Sequence, residues 1–274
     1  MAKVKTIRSL ERGLRVLKTF QAQPICALQD IHRSTKIPKA TLLRILETLQ
    51  GSGMVTRRLG DGRYRISSDL LGISPRSTRF TRIAEVAGPV LDRLCRKVLW
   101  PSDLMLPASD HMQIAETSQP VTPFVLKVSP IGAHVNYVMS AVGRAYLAYC
   151  PDKEREEIIA RLRKSRKLVD RLARDPKQLD RILDETRKRG YALRDSSFGG
   201  GTYGREPIDE GVSAIAVPLR DGKQVHGSIN ILWIRTAYSI EDFAATHLRD
   251  LQNAAAEIVA GLREPARKQV GSRQ

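Results

Sequence analysis

Two short runs of this chain gather side chains whose types and spacing could do recognition chemistry. In IPKATLLRILETLQGSGMV, Ile37 to Val55, the residues Lys39, Ala40, Thr41, Leu43 and Arg44 fall on or beside one arc of a helical wheel. In MVTRRLGDGRYRIS, Arg57, Arg58, Arg63 and Arg65 flank a Gly60-Asp61-Gly62 turn. Arginine can fork onto a guanine edge or a phosphate, and an aliphatic side chain can touch a thymine methyl. Lys39 and Thr41 sit at a helix start, where the backbone dipole favours phosphate. This is chemistry for holding a duplex rather than for breaking a bond.

Other constellations carry less. Cys26, Cys95 and Cys150 form no CxxC pair and no zinc-spaced cluster with histidine. They read as small apolar residues of a reduced, cytoplasmic protein. Cys150 precedes Pro151 at a helix end with no partner at an informative spacing, so a buried thiol is expected rather than a nucleophile. His111, His134, His226 and His247 lie in separate segments without HxH or HExxH, and no metal site is expected. GGGTYG, Gly199 to Gly204, matches the dinucleotide fingerprint literally, but Pro207 follows where a helix should open, so a loop is expected and no cofactor. No catalytic residue emerges, and an enzyme is not expected.

The elements that must position the first set are legible in the hydrophobic period. SLERGLRVLKTFQ places Leu10, Leu14, Leu17 and Phe20 at helical intervals with Val16 between them, and Ser9 is a reasonable cap. LQDIHRSTK gives a second helix, and Pro38 opens a third, tolerated at a helix start. On that third helix Leu42, Ile45, Leu46 and Leu49 share one arc and must face the first two, which leaves Leu43 and Arg44 outside. The arginine-edged run after it reads as a hairpin, the wing of a winged helix-turn-helix. Charge agrees: residues 1–68 hold 14 Lys and Arg against 4 Asp and Glu, more than half of the chain's net +17. A polyanion on that quarter would bind with strong salt dependence. RNA is less supported, because stacking aromatics for single strands are missing.

Residues 69–80 read as a connection, punctuated by Gly72 and Pro75, and IAEVAGPVLDRLCRKVL resumes a helical stripe. Strands and helices then alternate. SDLMLPASD and MQIAETS suggest a hairpin with FVLKVS after it. GRAYLAYC, PDKEREEIIARLRKS and DPKQLDRILDETRKRG suggest helices, the last starting at Asp175-Pro176 and stopping at Gly190. VSAIAVPLR and QVHGSINILWI form a hairpin across Asp221-Gly222, and a helix capped at Ser239 closes the fold. No apolar run is long enough to span a bilayer, and no secretory leader is expected. Within this half, Trp100 and Asp103 stand at a strand start, and Asn230 sits mid-strand among aliphatics, where a buried amide needs a partner. A small-molecule ligand could be that partner. A Trp filling a core and an Asn bonding a loop remain open alternatives.

SLERGLRVLKTF, IPKATLLRILETLQGSGMV and GRYRIS resemble the winged-helix domain of IclR-type bacterial transcriptional regulators. The resemblance continues through SAVGRAYLAYCP and VSAIAVPLRDGKQVHGSINIL, so it spans nearly the whole chain. Ala40 departs from it, since relatives place Ser or Thr there. The resemblance implies an α+β protein with a linker helix that also joins subunits and a GAF/PAS-like effector domain. The expected division is 1–68 for DNA binding, 69–80 as linker, 81–262 for effector binding and oligomerisation, and 263–274 as a basic tail. It implies effector contacts at Ala141, Val142, Ala214, Asn230 and Leu232, to which Trp100 and Asp103 are added from their own chemistry. WPSD with YLAYCP looks most like the branch regulating hydroxyphenylpropionate and related aromatic-acid degradation. Asp103 would accept a phenolic hydroxyl but repel a carboxylate unless Arg144 or another base neutralised it. The expected partners are a double-stranded operator, an aromatic or other organic acid, and further copies of the chain as a homodimer or homotetramer. The alternatives are a nonspecific DNA-binding protein with an oligomerisation domain, or an enzyme with an accessory DNA module.

Overall fold

The computed structural model describes residues 7–67, 75–123, 130–198 and 211–264. Gly199–Gly204, the FVLKVS run, most of the basic tail and half of the expected connection lie outside the described residues. The chain divides into two compact units, one reaching from the N-terminus to Glu85 and taking in Glu264 onward, the other Val86–Arg263.

In the first unit α1 (Arg8–Ala22), α2 (Leu28–Thr35) and α3 (Lys39–Gly51) enclose a core of Val16, Phe20, Ile31, Leu42, Leu46 and Leu49. Leu10 and Leu14, expected on the inner side of α1, are exposed. Val16 and Phe20, one turn apart, take the inward arc, Leu17 flanks it, and Leu10 and Leu14 fall on the far side of Leu17. Ser9 is not the cap either: the Ile7 carbonyl already accepts the Glu11 N–H at 3.0 Å, so the helix begins before it. The α2–α3 turn is held from several sides. Lys36 takes a left-handed φ of 58°, the His32 Nδ1 lies 2.7 Å from the Ile37 carbonyl, and Arg15 donates to the Thr35 carbonyl. Behind the helices, β2 (Val55–Arg57) and β3 (Tyr64–Ile66) pair as expected, and β1 (Ile25–Cys26) adds a third strand to β3.

A single helix, α4 (Pro75–Val98), replaces the expected change at residue 81. The second unit holds one antiparallel sheet in the order β6-β5-β4-β9-β8-β7. Its strands are β4 (Asp103–Pro107), β5 (Met112–Thr117), β6 (His134–Val135), β7 (Ala192–Leu193), β8 (Val212–Asp221) and β9 (Gln224–Ile234). On one side α8 (Ile240–Arg263) packs, its Phe243 ring stacked 3.8 Å from Trp233. On the other, α5 (Ala141–Tyr149), α6 (Asp152–Arg163) and α7 (Pro176–Arg189) share a core with Met105, Ala214, Ala216 and Leu232. Strand alternation divides these sets: even-numbered residues of β9 from Ser228 to Leu232 face α5, odd-numbered ones face α8. The start of α5 is tightly fixed. Ser140 accepts the Gly143 N–H at 3.0 Å, and the Asn136 Oδ1 accepts the N–H groups of Val138 and Met139 at 2.9 and 2.8 Å. The caps read at Asp175 and Ser239 are present, accepting from Gln178 and Asp242 at 3.1 Å each.

Candidate DNA-reading face and ligand-binding site

The α3 register sets the outward face. Leu42, Leu46 and Leu49 are buried and Ile45 packs beside them, so Lys39, Ala40, Leu43, Arg44 and Glu47 are exposed and Thr41 is half-buried. Leu43 is 47% exposed and adds an apolar patch to this otherwise basic face. Lys39 and Arg44 form no ion pair among the described residues, so neither is committed to an internal carboxylate. One basic, one small, one apolar and one guanidinium side chain thus stand free on a single helix.

The four wing arginines do not act alike. Arg57 and Arg63 are exposed. Arg57 donates to the Gly62 carbonyl at 3.1 Å and lies 5.7 Å over the Tyr64 ring, and Arg63 sits 3.9 Å from Asp61. Arg58, expected on the outer edge, is only 7% exposed, its guanidinium turned 3.5 Å from Asp61. Arg65 is also withdrawn: its Nε donates to the Thr56 Oγ1 at 3.2 Å and lies 3.9 Å from Glu85 of α4. The cause is the strand period, which directs Arg65 with its cross-strand partner Thr56 toward α4. Of the four wing arginines, Arg57 and Arg63 are therefore the two left on the surface. Arg63→Ala should lower affinity equally for any duplex and flatten the dependence of log K on log salt by about one. Arg65→Ala should instead lower stability by about 1 kcal/mol, seen in the denaturation midpoint, because it removes the Thr56 hydrogen bond and the Glu85 ion pair of a withdrawn guanidinium.

In the second unit six of the seven proposed ligand residues share one side of the sheet. Asp103 and Asn230 are neighbours across β4 and β9, with the Asp103 N–H donating to the Asn230 Oδ1 at 2.7 Å. Ala214 and Leu232 pair across β8 and β9 on the same side, and Ala141 and Val142 of α5 pack in the core that covers it. Trp100 is the exception. It packs edge-on against Phe243 and Tyr238 at 6.3 and 6.4 Å, in the aromatic cluster behind the sheet. Its bulk fills that core, and the sheet separates it from the other six.

The Asp103 carboxylate is fully enclosed and receives hydrogen bonds from neutral donors, Thr117 Oγ1 at 2.6 Å and Gln119 Nε2 at 3.3 Å. Burial pushes its pKa up to about 6, more than these donors and Asn230 pull it down. Arg144 does not neutralise it: that guanidinium donates to the Val138 and Leu193 carbonyls and pairs with Asp195 at 2.6 Å. Two residues that the sequence reading passed over join this site. Gln119 and Ser228 are both buried, and the Gln119 Oε1 and Ser228 Oγ meet no hydrogen-bond partner among the described residues. Ser228 was discoverable, because it alternates with Asn230 on β9, whereas Gln119 follows the strand and carries no periodic signal. A cleft of about 270 Å³ opens elsewhere in this unit, beside Pro218, Arg220 and Gln252, and none of the six lines it.

Other candidates resolve simply. Burial lifts the Cys150 thiol to about 12, so it stays protonated. His111 and His134, far apart in sequence, stack at 3.6 Å, yet no three His, Cys, Asp or Glu side chains converge on a metal position among the described residues. No helix among the described residues is long and apolar enough to cross a membrane.

A helix-turn-helix whose last helix turns a free, basic face outward, followed by an arginine-bearing hairpin, defines a DNA-binding regulator module. Comparison with known proteins gives the family. Residues 9–59 match the IclR helix-turn-helix domain and residues 76–260 match the domain described as Bacterial transcriptional regulator IclR C-terminal. The chain belongs to the IclR family. It is 26% identical over 231 residues to the Glycerol operon regulatory protein of Streptomyces coelicolor, covering 81% of this chain and 82% of that one. It is 25% identical over 192 residues to the Transcriptional repressor IclR of Escherichia coli, covering 69% of each. The fold matches an IclR homolog from Microbacterium hydrocarbonoxydans, solved in complex with 4-hydroxybenzoate, with a TM-score of 0.52 and 22% identity over 93% of this chain and 99% of that one. The protein is therefore a sequence-specific DNA-binding transcriptional regulator rather than an enzyme.

Proposed function

We propose that this regulator works in the cytoplasm as a homodimer or homotetramer on a pseudo-palindromic operator, and that a small aromatic acid sets its operator affinity. Its reading surface is Lys39, Ala40, Thr41, Leu43 and Arg44, with Arg57 and Arg63 on the backbone. The observation that carries this half is the exposed, internally uncommitted side of α3. One helix reads only a few base pairs, so paired copies are needed for useful specificity. The proposed domains are 1–68 for DNA binding and 81–262 for effector binding and oligomerisation, joined by 69–80, while the boundary between the two compact units falls within α4, after Glu85.

The effector site is the α5-facing side of the sheet, built from Asp103, Ala141, Val142, Ala214, Asn230 and Leu232. The site is mostly apolar with a few directed polar groups, as small-molecule sites are. An aromatic acid of the hydroxyphenylpropionate type is supported by the WPSD and YLAYCP runs and by the 4-hydroxybenzoate held in a structural relative. The effector acts by binding one conformational state more tightly, shifting operator affinity by a few kcal/mol at most. Asn230→Leu should raise the half-maximal concentration of 3-(4-hydroxyphenyl)propionate about tenfold in an operator-binding titration, with effector-free affinity unchanged. An unmoved dose curve would remove Asn230 from the site.

A further inference from the structure

We infer that the polar strip formed by Asp103, Gln119 and Ser228 on the α5-facing side of the sheet is a hydroxyl subsite: it takes the effector's hydroxyl group and turns its carboxylate away. The inference rests on the effector reading above and extends the hydroxyl preference expected at Asp103 to two further residues, Gln119 and Ser228, that read the same group.

Three observations converge. First, the strip lies where the strand periods place it: Asp103 and Met105 alternate on β4, and Ser228 and Asn230 on β9, with Ser228 paired to Met105. It is thus an island of polar groups within the cluster of Met105, Ala141, Val142, Ala216 and Leu232. Second, two of its atoms are unspent. The Gln119 Nε2 donates to the Asp103 Oδ1, which fixes the amide orientation, since the reverse would set two acceptors together. That leaves the Gln119 Oε1 as a buried acceptor, 9% exposed as a residue, and the Ser228 Oγ as a second buried group without a partner. A buried polar atom without a partner forfeits its hydration for nothing, so two on one sheet face call for an explanation.

Third, the charge has a sign and, among the described residues, no counter-ion. Each donor to Asp103 is neutral, and Arg144 is committed to Asp195. A second carboxylate at this point would meet a buried anion and a carbonyl oxygen with nothing cationic between them. An ammonium could donate to Asp103, to Gln119 and to the Ser228 oxygen, but it would leave the Ser228 O–H without an acceptor. A hydroxyl satisfies the set, because it donates to Gln119 or Asp103 and accepts from Ser228. Burial holds the carboxyl of Asp103 well above its ordinary range, as expected for an anion awaiting a further donor.

The test compares acids that differ only in the hydroxyl, by calorimetry on the full-length protein: 3-(4-hydroxyphenyl)propionate against 3-phenylpropionate and 3-(4-methoxyphenyl)propionate, and 4-hydroxybenzoate against benzoate. The hydroxylated acid of each series should bind at least about tenfold more tightly. Ser228→Ala and, separately, Gln119→Met should shrink that ratio by weakening the hydroxylated acid while sparing or improving the phenyl acid. Ser228→Ala deletes one buried oxygen and leaves the strand packing intact, so it decides the matter even if the Gln119 variant misfolds. Equal affinity for hydroxy and phenyl acids, or an unchanged ratio in Ser228→Ala, overturns the subsite while the effector reading stands. Absence of binding by every acid overturns both.

Discussion

Arg44→Ala is expected to raise the operator dissociation constant about tenfold to a hundredfold while changing affinity for a scrambled duplex only a few-fold. The asymmetry follows from where Arg44 sits. It stands one and a third turns into α3, beyond the first turn where backbone N–H groups hold phosphate, and beside the exposed Leu43. A guanidinium at that depth is placed to reach a guanine edge rather than a phosphate, and losing a good bidentate contact is worth about 1–3 kcal/mol against the wrong base. Arg63, on the wing, should show the opposite pattern, a loss common to both duplexes. Anisotropy titrations of both variants at one salt concentration separate the roles. If Arg44→Ala lost the same factor on operator and scrambled duplex, Arg44 would be a phosphate contact and base reading would have to rest on other side chains.

How far the sequence foretold these roles depended on the period that carried them. The α3 register was legible, because four aliphatics on a 3.6-residue repeat leave the position of Arg44 no freedom. The wing was half legible. Its turn announced itself through Gly60 and Gly62, and the strand period sets Arg65 on the face of Thr56, but two strands of three residues each cannot say which face is covered; that is settled by Glu85, from another helix, beside Arg65. The leucines of α1 misled for a related reason: the helical repeat shows that a stripe exists, whereas Val16 and Phe20 decide which side of it meets α2 and α3. Strand β1, two residues long, is too short for any period. In the sheet, alternation placed Asn230 correctly beside Leu232, while Trp100 lies just before its strand, where alternation no longer binds it. Alternation with Asn230 could place Ser228, but that its oxygen and the Gln119 Oε1 are unspent had no signature, because hydrogen-bond satisfaction belongs to the folded neighbourhood and not to the residue.

The second large effect concerns two glycines given the same substitution. Gly143 is the third residue of α5, and a Cβ built there would lie 2.2 Å from the Tyr137 carbonyl oxygen and 2.4 Å from the Tyr137 Cα. Those are backbone atoms, held in turn by the Asn136 and Ser140 hydrogen bonds, so they cannot swing aside as a side-chain tip would. Gly143→Ala must therefore lift the first turn of α5, with Ala141 and Val142, off the sheet. The expected cost is about 3 kcal/mol, a fall of roughly 6–12 °C in the melting midpoint of the second unit. Acid binding should weaken with it, since the covering wall of the site has moved. Gly13, mid-helix in α1, would carry a Cβ with nothing within 4 Å. There alanine removes unfolded-chain freedom and adds helix propensity, so Gly13→Ala should stabilise the first unit by about 0.5–1 kcal/mol. Calorimetric scans of the two variants read both signs on one molecule. A Gly143→Ala protein with an unshifted second-unit transition would mean that α5 is not seated against Tyr137, and that the side of the sheet assigned to the effector is not walled as described.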